Sequence, residues 1–174
     1  MTAEELLRLN LPNKRTELVR GVLVVREPAG YRHGDVAAQL LVAIANHVKA
    51  NRLGRVFAAE TGFTLARKPD TVRAPDVAFI STARLPDPTP RGFAELAPDL
   101  AVEVLSPDDR PGDVLGKVGD WLNAGARLVW VVDPVRVLAR VYRADGSESI
   151  LDETDALRGE DVLPGFEYQL STMR

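Results

Sequence analysis

The sequence predicts an α/β fold with a mixed central sheet flanked by helices, and three observations predict it. Residues 99–106 (DLAVEVLS) and 127–133 (RLVWVVD) are apolar on both faces, the pattern of strands covered on both sides. Between them, residues 111–123 read as a helix, with Pro111 near its start and Gly125 past its end. Strand, helix and strand in that order suggest a crossover unit joining parallel strands. Thirdly, residues 34–51 place Val36, Ala37, Leu40, Leu41, Ile44, Ala45 and Val48 at a period of about 3.6, the signature of an amphipathic helix.

The remaining elements follow in chain order. A short helix spans residues 2–9, with Thr2 as cap and Glu4 and Glu5 in its first turn. Residues 15–20 and 22–27 form a hairpin turning at Gly21. A loop, EPAGYRHG, leads into the long helix, which is expected to stop at Gly54. Strands recur at 55–60, 62–66 and 77–80, followed by a Pro-rich surface loop over 85–91. After the crossover unit, strands are expected at 137–142 and 148–152, with ADGS as a turn and VLPGFEYQL closing the chain. No repeat or linker divides the 174 residues, so one domain over 1–174 is expected.

Composition narrows the function classes. No apolar run approaches the roughly 18 residues of a membrane span. The N-terminus MTAEELLRLN has no basic start, apolar core or cleavage site. Zero cysteines exclude disulfides, thiolate metal sites and cysteine nucleophiles, and agree with a cytoplasmic location. Two histidines, His33 and His47, are too few for a multi-histidine zinc centre. A net charge of -3 argues against binding nucleic acid by bulk charge, while leaving room for a local basic groove.

Two carboxylates stand out. Glu103 sits in the middle of an apolar strand, where an ionised carboxylate must be paired, protonated or metal-bound. A structural ion pair with a nearby arginine is its plainer reading. Asp76 opens the apolar run VAFI directly after Pro75, at a strand rim; a turn or capping aspartate is the alternative there. Two carboxylates on neighbouring strands, beside a backbone carbonyl, make an oxygen-rich pocket of the kind Mg²⁺ and Mn²⁺ prefer. Mutual repulsion should raise the pKa of at least one of them. Lys117 lies on the following helix, four residues after Asp113, so a solvated ion pair between those two is its plainer reading. Arg52, Arg55, Arg67, Lys68 and Arg73 cluster in sequence, as a phosphate-binding surface or a solvated rim. Trp121 and Trp130 read as packing aromatics, and His47 as a surface or edge residue. GDVLGKV is no P-loop: it has three residues between its glycines instead of four, and valine follows its lysine.

In order along the chain stand RTELVRGVLVV, a histidine before the long helix, VRAPDVAFI, PDLAVEVLSPDD, KVGDWLNAGARLVWVVDP and VLPGFEYQL. This set, spanning roughly residues 16–170, resembles the Uma-two family of restriction endonucleases, which have the PD-(D/E)XK nuclease fold. The resemblance implies a restriction-endonuclease-like domain. Pro75-Asp76 resembles the PD element, and Glu103 the acidic residue two positions before the motif lysine. Leu105 holds that lysine position, a departure from the pattern, and the matching lysine from the next helix is Lys117. Glu17 resembles the acidic residue placed before the core sheet. His33 matches the family's histidine and is a weaker candidate for substrate phosphate; a loop histidine capping the helix is the alternative.

The implied function is metal-dependent hydrolysis of DNA phosphodiester bonds. Asp76, Glu103 and the Val104 carbonyl would hold Mg²⁺ or Mn²⁺, and Asp76, Glu103, Lys117 and Glu17 would be catalytic. DNA is the implied partner, and a homodimer follows from base rates and the resemblance. The rival is a catalytically inert nuclease-fold module that binds nucleic acid or a protein, favoured by Leu105 and the acidic balance. A carboxylate-rich metal enzyme acting on a small phosphoester is a third reading.

Overall fold

Side-chain alternation on the central strands decides how the layers stack. In the computed structural model, which describes residues 1–174, β6 (Val77–Ser81), β7 (Leu100–Val104) and β8 (Leu128–Asp133) lie side by side. Every residue of β7 is buried, so both sheet faces are covered, as its unbroken apolar run requires. One face sets Val77, Phe79, Leu100, Val102, Leu128 and Trp130 against Val36, Leu40, Ile44 and Val48 of α2 (Tyr31–Asn51). The other sets Ala78, Ile80, Ala101, Val129 and Val131 against Val118 and Trp121 of α3 (Pro111–Asn123). Glu103 shares the parity of Ala101 and therefore belongs to the α3 face.

The sheet has six strands in the order β10-β9-β8-β7-β6-β3, where β3 is Gly54–Ala58, β9 is Leu138–Arg143 and β10 is Glu148–Leu151. Only β7 and β8 are parallel, joined through α3; every other neighbour is antiparallel. The predicted crossover is present, and the architecture is mixed α/β.

The sheet does not stand alone, a departure from the expected single central sheet. A second, four-stranded antiparallel sheet runs β2-β1-β5-β4, from β1 (Arg15–Val19), β2 (Val22–Arg26), β4 (Phe63–Ala66) and β5 (Thr71–Arg73). Its hairpin turns at Arg20 and Gly21, both with positive φ, matching the twist of the flanking strands. Leu18 and Val72 of this sheet bury Ala3 and Leu6 of α1 (Ala3–Arg8), whose Thr2 caps it in a reciprocal pair with Glu5. β11 (Ala156–Arg158) pairs with β12 (Glu167–Gln169) in the tail.

Two boundaries differ from expectation. α2 begins at Tyr31, one turn early, because Gly30 caps it and Gly34 meets only open space. The cost of a helical glycine, about 1 kcal/mol, is offset by the buried face that starts at His33. The helix ends at Arg52, left-handed at φ 53°, and Gly54 belongs to β3. A Cβ there would lie 2.0 Å from the Ile80 carbonyl oxygen, so the glycine serves strand approach.

Candidate active site

The end of β7 meets the start of β6 where α2 and α3 close over opposite faces of the sheet. Asp76 precedes β6; its amide donates to the Val102 carbonyl at 2.9 Å, which fixes it beside β7. The Val104 amide donates to Asp76 Oδ2 at 2.7 Å, and His33 Nε2 lies 3.2 Å from the same oxygen. No protein donor reaches Asp76 Oδ1. Val104 therefore meets Asp76 through its N–H. His33 lies inside the first turn of α2, not in the loop before it, and is 6% exposed with Nδ1 unpartnered.

Glu103 is met by two donors from α3. Lys117 Nζ donates to Oε2 at 3.0 Å, and Trp121 Nε1 donates to Oε1 at 2.9 Å. Lys117 and Trp121 are four residues apart, so one helix face presents both. Lys117 also stands 3.7 Å from Glu17 Oε1. The solvated pair with Asp113 is absent: Lys117 turns inward and its side chain is only 14% exposed. Glu17 accepts from Arg73 Nη1 at 3.0 Å and from the Ala74 amide at 3.1 Å. Arg73 in turn donates through Nε and Nη2 to Asp120 Oδ2 at 2.9 and 2.7 Å. A chain of alternating charge, buried at Arg73, Glu17 and Glu103 and partly buried at Asp120 and Lys117, thus runs Asp120–Arg73–Glu17–Lys117–Glu103.

Arg73, Asp120 and Trp121 escaped the sequence reading as site residues. Arg73 fell among five basic residues read as one surface, which the structure disperses: Arg73 is buried, and Arg67 pairs with Glu4, Asp70 and Glu95. The available signal was spacing, since Trp121 follows Lys117 by one helical turn. Trp130 is a packing aromatic, stacked on Phe166 with centroids 5.8 Å apart. His47 meets the Pro164 carbonyl from a partly exposed position.

Burial and close carboxylates together set the titration of the site's groups. Burial pushes the Glu103 carboxyl above its ordinary pKa; Lys117 opposes this, while Asp76 and Glu17 add to it. Carboxylate repulsion is thus present but smaller than desolvation, contrary to the emphasis of the sequence reading. Burial works against the Lys117 charge, yet Glu103 and then Glu17 outweigh it and raise the ammonium's pKa. Glu60, on the same rim, is raised by burial, with Asp76 and Glu17 contributing. Desolvation leads the shifts of Glu60 and Glu103, whereas the raised Lys117 reflects the carboxylates around it.

Asp76, Glu103, Val104 and Lys117 line one cavity of about 30 Å³, the scale of a single water or ion. No three His, Asp or Glu side chains converge as a metal cluster. Even so, the donor chemistry suits a hard divalent ion: two carboxylates face a common space and one oxygen lacks any protein donor.

None of the curated proteins compared with the chain matches it. Among solved structures, the crystal structure of a putative nuclease belonging to DUF820 from Anabaena variabilis ATCC 29413 superposes with a TM-score of 0.86. It is 24% identical, and the match covers 99% of this chain and 97% of that one, a likeness of fold. A family model described as Uma2, putative restriction endonuclease, matches residues 3–173, so that the chain belongs to the Uma2 family.

Proposed function

We propose that the chain is a metal-dependent endonuclease that hydrolyses DNA phosphodiester bonds at the centre formed by Asp76, Glu103 and Lys117. The observation that carries this reading is Lys117 Nζ at 3.0 Å from Glu103 Oε2. A lysine beside the second acidic residue is what the nuclease pattern demands, and α3 supplies it where Leu105 follows β7. Family membership and the fold of the Anabaena protein support the same reading, by analogy of scaffold.

In this reading Asp76 and Glu103, with the Val104 carbonyl, hold Mg²⁺ or Mn²⁺. The bound ion supplies Lewis acidity to a phosphoryl oxygen and eases deprotonation of the attacking water. Lys117 keeps its proton and places a fixed positive charge where the phosphorane builds negative charge. Glu17 holds Lys117 in place and is itself held by Arg73. His33 orients Asp76 through Nε2, at 3.2 Å from Oδ2, from the wall of the same cavity. Trp121 holds the Glu103 carboxylate, leaving its remaining lone pairs for the ion.

Plasmid cleavage tests the reading. Wild type should nick or cut DNA with Mg²⁺ or Mn²⁺ and be inert in chelator. Lys117→Met should cut roughly a hundredfold more slowly, the scale of losing one electrostatic stabiliser. Because Lys117 is buried against two carboxylates, the same variant should also lose about 3–5 kcal/mol of stability. Rates must therefore be compared below its melting range. Equal cleavage by wild type and Lys117→Met, or metal-independent cleavage, contradicts the assignment. DNA binding without any cleavage would favour the inert-module reading.

A further inference from the structure

An open cavity of about 640 Å³ adjoins the carboxylate centre. Asp76 and His33 line both it and the smaller cavity lined by Glu103 and Lys117, so the two adjoin. Ala37 and Ala38 of α2, with Ala58 and Ala59 at the end of β3, form apolar walls, while Asn13, Arg15 and Glu60 line its polar side. The alanines offer contact to a flat ring, and the polar side chains offer hydrogen bonds at its edge. The volume falls in the range of about 300–1,000 Å³ typical of pockets that enclose small ligands.

The charge around it points the same way. A protein that grips intact duplex does so through rows of free Lys and Arg on the phosphates of both strands. Here Lys14 faces Glu27, Arg26 faces Asp109 and Glu17, and Lys117 faces Glu103. Among the basic side chains lining the two cavities, Arg15 alone makes no salt bridge; its Nε donates to the Glu27 carbonyl at 3.0 Å and no carboxylate neutralises it. One cation without a carboxylate partner suits one phosphate.

We propose that the 640 Å³ cavity receives the nucleoside beside the scissile phosphate, so that the substrate is single-stranded DNA and not intact duplex. The inference rests on the phosphodiesterase reading of the adjoining centre. In a duplex each base is stacked on both faces and paired at its edge, so only an unstacked nucleotide can enter a pocket of this kind. Arg15, which lines both cavities, would then meet the phosphate while the alanine walls hold the base or sugar.

Fluorescence anisotropy in Ca²⁺, with a short labelled DNA single strand and the same sequence as duplex, tests this. Wild type should bind the single strand more tightly than the duplex. Ala38→Trp fills the cavity from an exposed helix position and should weaken single-strand binding by about tenfold or more, the scale of losing a stacked base. Val42→Trp, one turn along α2 and outside this cavity, should bind as wild type does. If Ala38→Trp fails to fold, Ala59→Trp on the opposite wall replaces it. Duplex bound as tightly as single strand, no binding of single strand, or undiminished binding by the folded Trp variant each overturns the proposal. Cleavage of duplex with retained metal dependence would remove this inference and leave the nuclease reading standing. Single-strand binding sensitive to Ala38→Trp, without any cleavage, would do the reverse.

Discussion

Glu103 announces itself in the sequence because a carboxylate inside LAVEV must be compensated, and the structure supplies the compensation from α3. What no single position could reveal was the second donor. Trp121 reads as core, and it is fully buried against Phe63 with centroids 6.1 Å apart, but its Nε1 also holds Glu103. Trp121→Phe keeps a ring in the core and removes the donor. Leaving Glu103 Oε1 without it should cost about 1–3 kcal/mol. The pH dependence separates this from simple packing loss. Glu103 already has a folded pKa above its unfolded value, and the Trp121 hydrogen bond holds it down. A raised carboxylate pKa contributes stability at pH below the unfolded value, which is lost as pH rises through the folded one. Losing the donor pushes that pKa further up, so the deficit of Trp121→Phe should be smaller in acid and grow toward neutral pH. Thermal melts across pH measure it; a deficit independent of pH would mean that Trp121 acts by packing alone.

At the scale of elements, periodicity located the long helix, the crossover and the central strands to within a few residues. It failed where tertiary contacts decide. β5 is three residues long and was hidden inside TVRAPD, yet it carries Arg73 and ties the hairpin to β4. α1 has only six residues and would not persist alone. Asp70 holds it: its Oδ2 accepts from the Ala3 amide at 2.9 Å and from Arg67, and its Oδ1 from the Lys68 amide at 3.2 Å. These bonds, that from the Ala3 amide foremost, lower the Asp70 pKa. A lowered carboxylate pKa gives stability that is present above the ordinary Asp range and lost as pH falls through the folded value. Asp70→Ala should therefore strip hydrogen-exchange protection from the α1 amides at neutral pH and leave β7 and β8 protected. Acidification of wild type should loosen α1 in the same way. Unchanged α1 protection in Asp70→Ala would show that burial of Ala3 and Leu6 suffices.

Across the whole molecule, the mixed α/β class was legible because both-sided apolar runs and a crossover helix leave few arrangements. The second sheet was not legible, since its strands are short and partly exposed, and the hairpin's partner β5 falls beyond three other elements. The site lies where these layers meet. The β1 sheet brings Glu17 and Arg73, the central sheet Asp76 and Glu103, α2 His33, and α3 Lys117 and Trp121. Asp76 and Glu103 could be matched by pattern, and Lys117 by resemblance; Arg73 and Asp120 could be joined only in space. No helix is long and apolar enough to cross a membrane. The account depends most on Asp76 and Glu103 sharing one divalent ion, and calorimetric titration with Mn²⁺ tests that without reference to cleavage. Wild type should bind one ion per site, and Asp76→Asn and Glu103→Gln should each weaken binding by more than roughly a hundredfold, beyond the loss from an outer-shell partner. Mn²⁺ affinity equal in all three proteins, or no binding by wild type, would contradict it.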